Sequence, residues 1–66
     1  MKITLNGKIK KIDESKTLYN LLFTAYKEPK GIIVMQNDRI MNDKQQKESL
    51  VKENDKIDFL QIIGGG

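Results

Sequence analysis

Cysteine and histidine are both absent from this chain of 66 residues, and each absence closes off chemistry. Without cysteine there is no disulfide to brace a small fold, no thiolate nucleophile and no soft metal ligand. Without histidine, the commonest general base and the commonest zinc ligand are missing. Asp and Glu are scattered, without the spaced Asp/Asn pattern of a calcium loop. The chain is therefore read as a non-enzyme with no metal or cofactor of its own. Arginine is scarce as well: Arg39 is the single one among 12 Lys+Arg, set against 9 Asp+Glu for a net charge of +3. Nucleic-acid binders favour arginine and exposed aromatics on a concentrated basic face. The aromatics here are Tyr19, Phe23, Tyr26 and Phe59, three of them in one helical stretch. Lys8, Lys10 and Lys11 are read as a solvated edge that discourages strand-to-strand aggregation rather than as phosphate contacts. No nucleic-acid partner is expected.

Long apolar runs are lacking too. None reaches the ~18 residues of a membrane span, so no membrane association is expected. Met1-Lys2-Ile3-Thr4-Leu5 enters an alternating pattern directly, so no signal or transit peptide is expected, and with cysteine absent a cytoplasmic location follows. A chain of this length makes one domain with a thin core, because ordering it costs roughly 1.5 kcal/mol per residue and burial offsets that only narrowly.

What is present reads as a short series of elements. Ile3 and Leu5 alternate with polar residues as a half-buried strand should. Asn6-Gly7 is the strongest short hairpin signal, since a type I′ turn needs positive φ at both central residues. The return strand, 8–12, has Ile9 and Ile12 three apart, so either it carries a bulge or one isoleucine lies at its end. Thr17 is a plausible N-cap, and Leu18, Leu21, Leu22 and Ala25 then form one helical face flanked by Phe23 and Tyr26. Lys27 suits the C-terminal end of the helix dipole, Pro29 stops the helix and Gly31 frees the turn that follows. Ile32-Ile33-Val34-Met35 reads as a buried central strand. Asn37-Asp38 is a turn, and Arg39-Ile40-Met41 a short partner strand. Residues 42–48 have room for one helical turn but no strong element, and Leu50 and Val51 pin that segment to the core. Residues 53–56 form a turn into the last and longest strand, 57–63. The class is α+β: a mixed four- to five-stranded sheet packed on one main helix. If the first and last strands pair side by side, the result is a β-grasp. The domain is expected over 1–63, with 64–66 as a flexible tail.

The last strand carries the functional signal. An unpaired carboxylate is costly to bury, so Asp58 should face solvent. Leu60 and Ile62 share its face, while Ile57, Phe59 and Gln61 turn towards the helix. Two large apolar side chains are thus expected to be exposed, which often marks a binding site. The alternative is that the 44–50 loop covers them. Gly64-Gly65-Gly66 follow directly, with no polar spacer and no serine as in typical linkers. Glycine loses the most backbone freedom on folding, so a fold alone has no use for three in a row. A terminal carboxylate becomes electrophilic as an acyl-adenylate, and glycine gives it the slimmest approach to a partner's ATP site. The chain would be a substrate, with every catalytic group on the partner.

Four segments together resemble the ThiS family of sulfur carriers: Met1-Lys2-Ile3-Thr4-Leu5-Asn6-Gly7 its opening hairpin, and Thr17-Leu18-Tyr19-Asn20-Leu21-Leu22 its helix start. Ile32-Ile33-Val34-Met35-Gln36-Asn37 resembles its strand into an asparagine turn, and Asp55-Lys56-Ile57-Asp58 through Gly66 its ending. The resemblance implies a ubiquitin-like β-grasp. It implies a ThiF-like, E1-like adenylyltransferase that uses ATP and magnesium to activate the terminal glycine. It also implies a sulfur donor such as a cysteine desulfurase, and a ThiG-like thiazole synthase that takes sulfur from the C-terminal thiocarboxylate for thiamine. Carried over, Gly66 is the residue adenylated and thiolated, and Gly64 and Gly65 are its approach; beside them, Leu60, Ile62 and Ile63 are expected to meet partners. The usual family ending is two glycines, so Gly64 can belong to the strand or the tail. The free chain is expected to be monomeric.

Competing readings are a molybdopterin-synthase small subunit, usually a longer chain, and a ubiquitin-like modifier that joins a target lysine. A lysine-based nucleic-acid-binding domain and a purely structural interaction domain stand further off.

Overall fold

The two central residues of the first turn, Asn6 and Gly7, have φ of 50° and 80°, the geometry a type I′ hairpin requires. The computed structural model describes residues 1–62. Strand β1 (Lys2–Leu5) thereby folds back on β2 (Lys8–Lys11), with Thr4 opposite Ile9. No bulge is needed: Ile12 lies just past the end of β2 and is buried, its N–H donating to the Met1 carbonyl. Helix α1 (Leu18–Ala25) follows, with the Thr17 hydroxyl accepting the Asn20 N–H as N-cap. Strand β3 (Ile32–Gln36) turns through Asn37 and Asp38, both at positive φ, into β4 (Arg39–Met41). A short helix, α2 (Asp43–Glu48), precedes β5 (Lys56–Gln61).

The five strands lie in the order β2-β1-β5-β3-β4. Strand β1 pairs in parallel with β5, and every other pairing is antiparallel. The first and last strands are therefore neighbours at the centre of a mixed sheet, with α1 across one face: the β-grasp topology. The core is Ile3, Ile12, Leu18, Leu21, Leu22, Val34, Val51, Ile57 and Phe59. Tyr26 packs edge-on to Phe59, their centroids 6.0 Å apart.

Several expectations are corrected. Ala25 is exposed, because Tyr26 is already extended and caps the helix through its N–H to the Leu22 carbonyl. The helix thus ends before Pro29 can stop it, and Lys27 lies outside, leaving no basic residue in the last turn. In β3 only Val34 is fully buried, because α1 covers one face and Ile33 and Met35 point to the other. Residues 42–48 form a real helical turn closed by a capping box: the Asn42 side chain accepts the Gln45 N–H at 2.8 Å, and the Gln45 side chain accepts the Asn42 N–H at 2.8 Å. Val51 is buried but Leu50 is exposed, bridging to Thr17 by backbone instead. Gln61 shares the face of Ile57 and Phe59 yet is exposed, and β5 runs over 56–61 rather than 57–63. Ile63 and the 63/64 domain boundary lie outside the described residues.

Candidate functional site

Strand β5 is central, so its alternation decides what the open face of the sheet carries. Ile57 and Phe59 are buried beneath α1, while Leu60 is 49% and Ile62 57% exposed. Asp58 is half-buried on the same open face. The 44–50 segment does not cover these residues. It forms α2, which packs against α1 on the other side of the sheet.

Register extends this face beyond β5. Ile33 stands opposite Leu60, Met35 opposite Asp58, and Ile40 opposite Met35. Ile40 is 68% exposed, and Ile33 and Met35 are half-buried. Leu60, Ile62, Ile33, Met35 and Ile40 thus share one side of three adjacent strands. Of these, Leu60 and Ile62 were readable from the last strand alone. The other three are found by carrying the same alternation across the two-residue turn at Asn37-Asp38, which fixes the register of β3 against β4. An open groove of about 540 Å³ carries the apolar surface around the β4 edge over Ile33, Ile40 and Met41. Ile9, 76% exposed, is on the same side but is separated from the patch by Thr4 and Lys56. The rim is charged: Lys56 Nζ donates to Asp38 Oδ1 at 2.8 Å, which raises the lysine pKa.

Both ends of β5 are held. At its start, the buried carboxylate of Asp55 accepts from Asn37 Nδ2 at 3.0 Å, Gln36 Nε2 at 2.9 Å and the Lys52 N–H at 2.7 Å. Burial pushes the Asp55 pKa up, but those hydrogen bonds outweigh it and hold the carboxyl below its ordinary value. Asn37 Oδ1 in turn accepts the Lys56 N–H, and Ser49 Oγ donates to Gln36 Oε1. This network joins the β3–β4 turn, the 49–52 loop and the first residue of β5. It escaped sequence reading because Asp55 looks like an ordinary turn residue. Further along, Asn6 Oδ1 accepts the Phe59 N–H, and beyond β5 the Ile62 N–H donates to the Gly31 carbonyl at 3.0 Å.

Every buried side-chain nitrogen and oxygen among the described residues has a hydrogen-bond partner. Among those residues no group of three or more Asp and Glu side chains could hold a metal ion, and no helix is long and apolar enough to cross a membrane. The geometry leaves an exposed apolar face on the strand that leads to the glycines. Gly64, Gly65 and Gly66 themselves lie outside the described residues.

The sequence profile of the ThiS family matches residues 3–66. No sequence among curated proteins matches the chain significantly. Among solved structures, the crystal structure of a thiamine biosynthesis protein (ThiS) from Geobacter metallireducens superposes with a TM-score of 0.80. That pair shares 30% identity, with 100% of each chain covered. A solution NMR structure of a thiamine biosynthesis protein from the same organism gives 0.81 at 29% identity, covering 100% of this chain and 88% of the other. With the profile spanning nearly its whole length and the same fold in these relatives, this chain belongs to the ThiS family of sulfur carriers of thiamine biosynthesis.

Proposed function

We propose that the chain carries sulfur as a thiocarboxylate on Gly66 and delivers it for thiazole formation. A carboxylate oxygen of Gly66 attacks the α-phosphorus of ATP in a ThiF-like, E1-like adenylyltransferase. A P–O bond forms and magnesium pyrophosphate leaves. The outer sulfur of a persulfide, supplied by a donor such as a cysteine desulfurase, then adds to the acyl carbon, and AMP departs with its oxygen. A thiol on a partner reduces the resulting acyl disulfide by taking the donor sulfur into a disulfide of its own, leaving the thiocarboxylate. A ThiG-like thiazole synthase takes that sulfur. ATP and magnesium belong to the activating partner, and the groups that move protons and polarise the phosphates are the partner's too.

The observation that carries the reading is the exposure of Leu60 and Ile62, at 49% and 57%, on the strand that leads to the glycines. An apolar patch with a charged rim suits protein docking. Leu60, Ile62 and Ile63 would seat on the partner, with Ile33, Met35 and Ile40 extending the contact. Gly64 and Gly65 would then pass through a channel too narrow for larger side chains. Residues 1–63 serve as the handle and 64–66 as the delivered segment.

Removing Gly65 and Gly66 tests this. The truncated chain is expected to support no ATP–pyrophosphate exchange by the activating enzyme, while its urea unfolding midpoint stays that of the full chain. Exchange at the full rate by the truncated chain would overturn the assignment of Gly66.

A further inference from the structure

We propose that Gly31 is a positioning residue for the reacting terminus: its carbonyl fixes where the chain leaves the sheet. The β3–β5 ladder runs from Gln36 opposite Ile57 to Ile32 opposite Gln61. The 3.0 Å hydrogen bond from the Ile62 N–H to the Gly31 carbonyl continues it one residue beyond both strands. Gly31 holds φ at +67°, and among the described residues a Cβ added there would meet only the Ile62 carbonyl oxygen, at 3.7 Å, an ordinary contact. Space is therefore available, and the constraint is the left-handed backbone that aims the carbonyl, a conformation β-branched residues strongly resist. The preceding loop is itself constrained. Tyr26 is extended, Pro29 has a fixed φ, and the Lys30 N–H donates to the Glu28 carbonyl at 2.8 Å.

The consequence rests on the reading that Gly66 is the reacting residue. Four residues separate the anchored Ile62 from that carboxylate, and a chain spans at most about 3.5 Å per residue. The anchor thus places the reacting carbon within roughly 14 Å of Ile62. Releasing it moves the last fixed point of the sheet back along the chain and widens the range of directions the terminus can take. That lowers the effective concentration of the carboxylate at the partner's α-phosphate without touching the docking face.

The test compares Gly31→Val with Gly31→Asn, since asparagine tolerates the left-handed region. Each is assayed for ATP–pyrophosphate exchange with the cognate activating enzyme, and for amide hydrogen exchange of Ile62 in the free protein. Gly31→Val is expected to lose Ile62 amide protection and to lower kcat about threefold or more, with KM within about twofold. Gly31→Asn is expected to restore both. A synthetic chain whose Ile62 amide is replaced by an ester keeps Gly31, removes only the donor, and should lower kcat as the valine does. Protection of the Val34 and Phe59 amides checks that each variant is folded. An unchanged kcat in a folded chain that has lost Ile62 protection overturns the inference, as does a persistently protected Ile62 amide in Gly31→Val. A wild-type chain that supports no exchange overturns the reading of Gly66 itself, and the positioning role with it.

Discussion

The side-chain oxygen of Asn6 accepts the backbone N–H of Phe59 at 2.8 Å, across 53 positions of sequence. Strand β1 ends at Leu5, and the Asn6 N–H still donates to the Ile57 carbonyl at 2.9 Å. One residue therefore turns the first hairpin at φ 50° and also extends the β1–β5 ladder with its side chain. The hairpin signal and the placement of the strand that bears the exposed apolar face meet at this amide.

Asn6 can be dissected by two substitutions. Gly keeps the backbone conformation and loses the hydrogen bond, for an expected cost of about 1 kcal/mol. Ala loses both, for about 1–2 kcal/mol more. Urea unfolding of the two variants separates the contributions. A Gly variant as stable as the wild type would show that the Phe59 hydrogen bond contributes nothing.

Asp55 should make stability depend on acid. Its carboxyl is held below its ordinary value by donors from Asn37, Lys52 and Gln36, so the folded state binds its proton less readily than the unfolded state. That contribution is fully present above the unfolded carboxylate pKa of roughly 3.9 and is lost as pH falls through the lower folded value. Asp55→Asn sets an amide donor among donors and is expected to cost about 1–3 kcal/mol at neutral pH. The variant should also lose less stability than the wild type between neutral pH and the acid range. Parallel unfolding curves across pH for the two proteins would count against the network.

The two faces of β5 should respond oppositely to substitution. Leu60→Asp is expected to change stability by less than about 0.5 kcal/mol and to raise the KM for the activating enzyme about tenfold or more. Phe59→Ala removes a buried ring and is expected to cost about 3–5 kcal/mol, enough to unfold much of so small a domain. Ile33→Asp should raise KM in the same way, because Ile33 stands opposite Leu60 on the same face, though with a larger stability cost since Ile33 is half-buried. A KM unchanged by both aspartates would remove the docking role of this surface.

The capping box of α2 predicts that Asn42→Ala costs about 1 kcal/mol. Circular dichroism with urea unfolding would check it, and an unchanged midpoint would show that α2 forms through packing alone.

Much of this was legible because local rules and the fold agree. Asn6-Gly7 and Asn37-Asp38 set hairpin registers, Thr17 opens the helix, and the carboxylate of Asp58 assigns the two faces of β5. What stayed hidden was tertiary. Ile32 to Met35 reads as a uniform apolar run, and only the one-sided cover by α1 separates buried Val34 from Ile33 and Met35 on the open face. Asp55 reads as a turn residue until three donors from different segments converge on it. Asn42 and Gln45 carried a capping signal, but without an apolar stripe to follow, it did not announce a helix. Gly31 was legible as a turn residue, yet its partner Ile62 is 31 residues away and is brought there by the sheet. The helix end is hidden in the sequence because Pro29 is the conspicuous breaker, whereas the chain already turns extended at Tyr26.

The central claim is that Gly66 becomes a thiocarboxylate. The most direct test is the intact mass of the chain after incubation with the cognate activating enzyme, ATP, magnesium and sulfide. The account predicts a mass gain equal to replacing one oxygen by sulfur, located at Gly66 by fragmentation and dependent on ATP. A mass that stays unchanged while the enzyme adenylates the chain, or one that rises only through attachment to another protein's lysine, would contradict it.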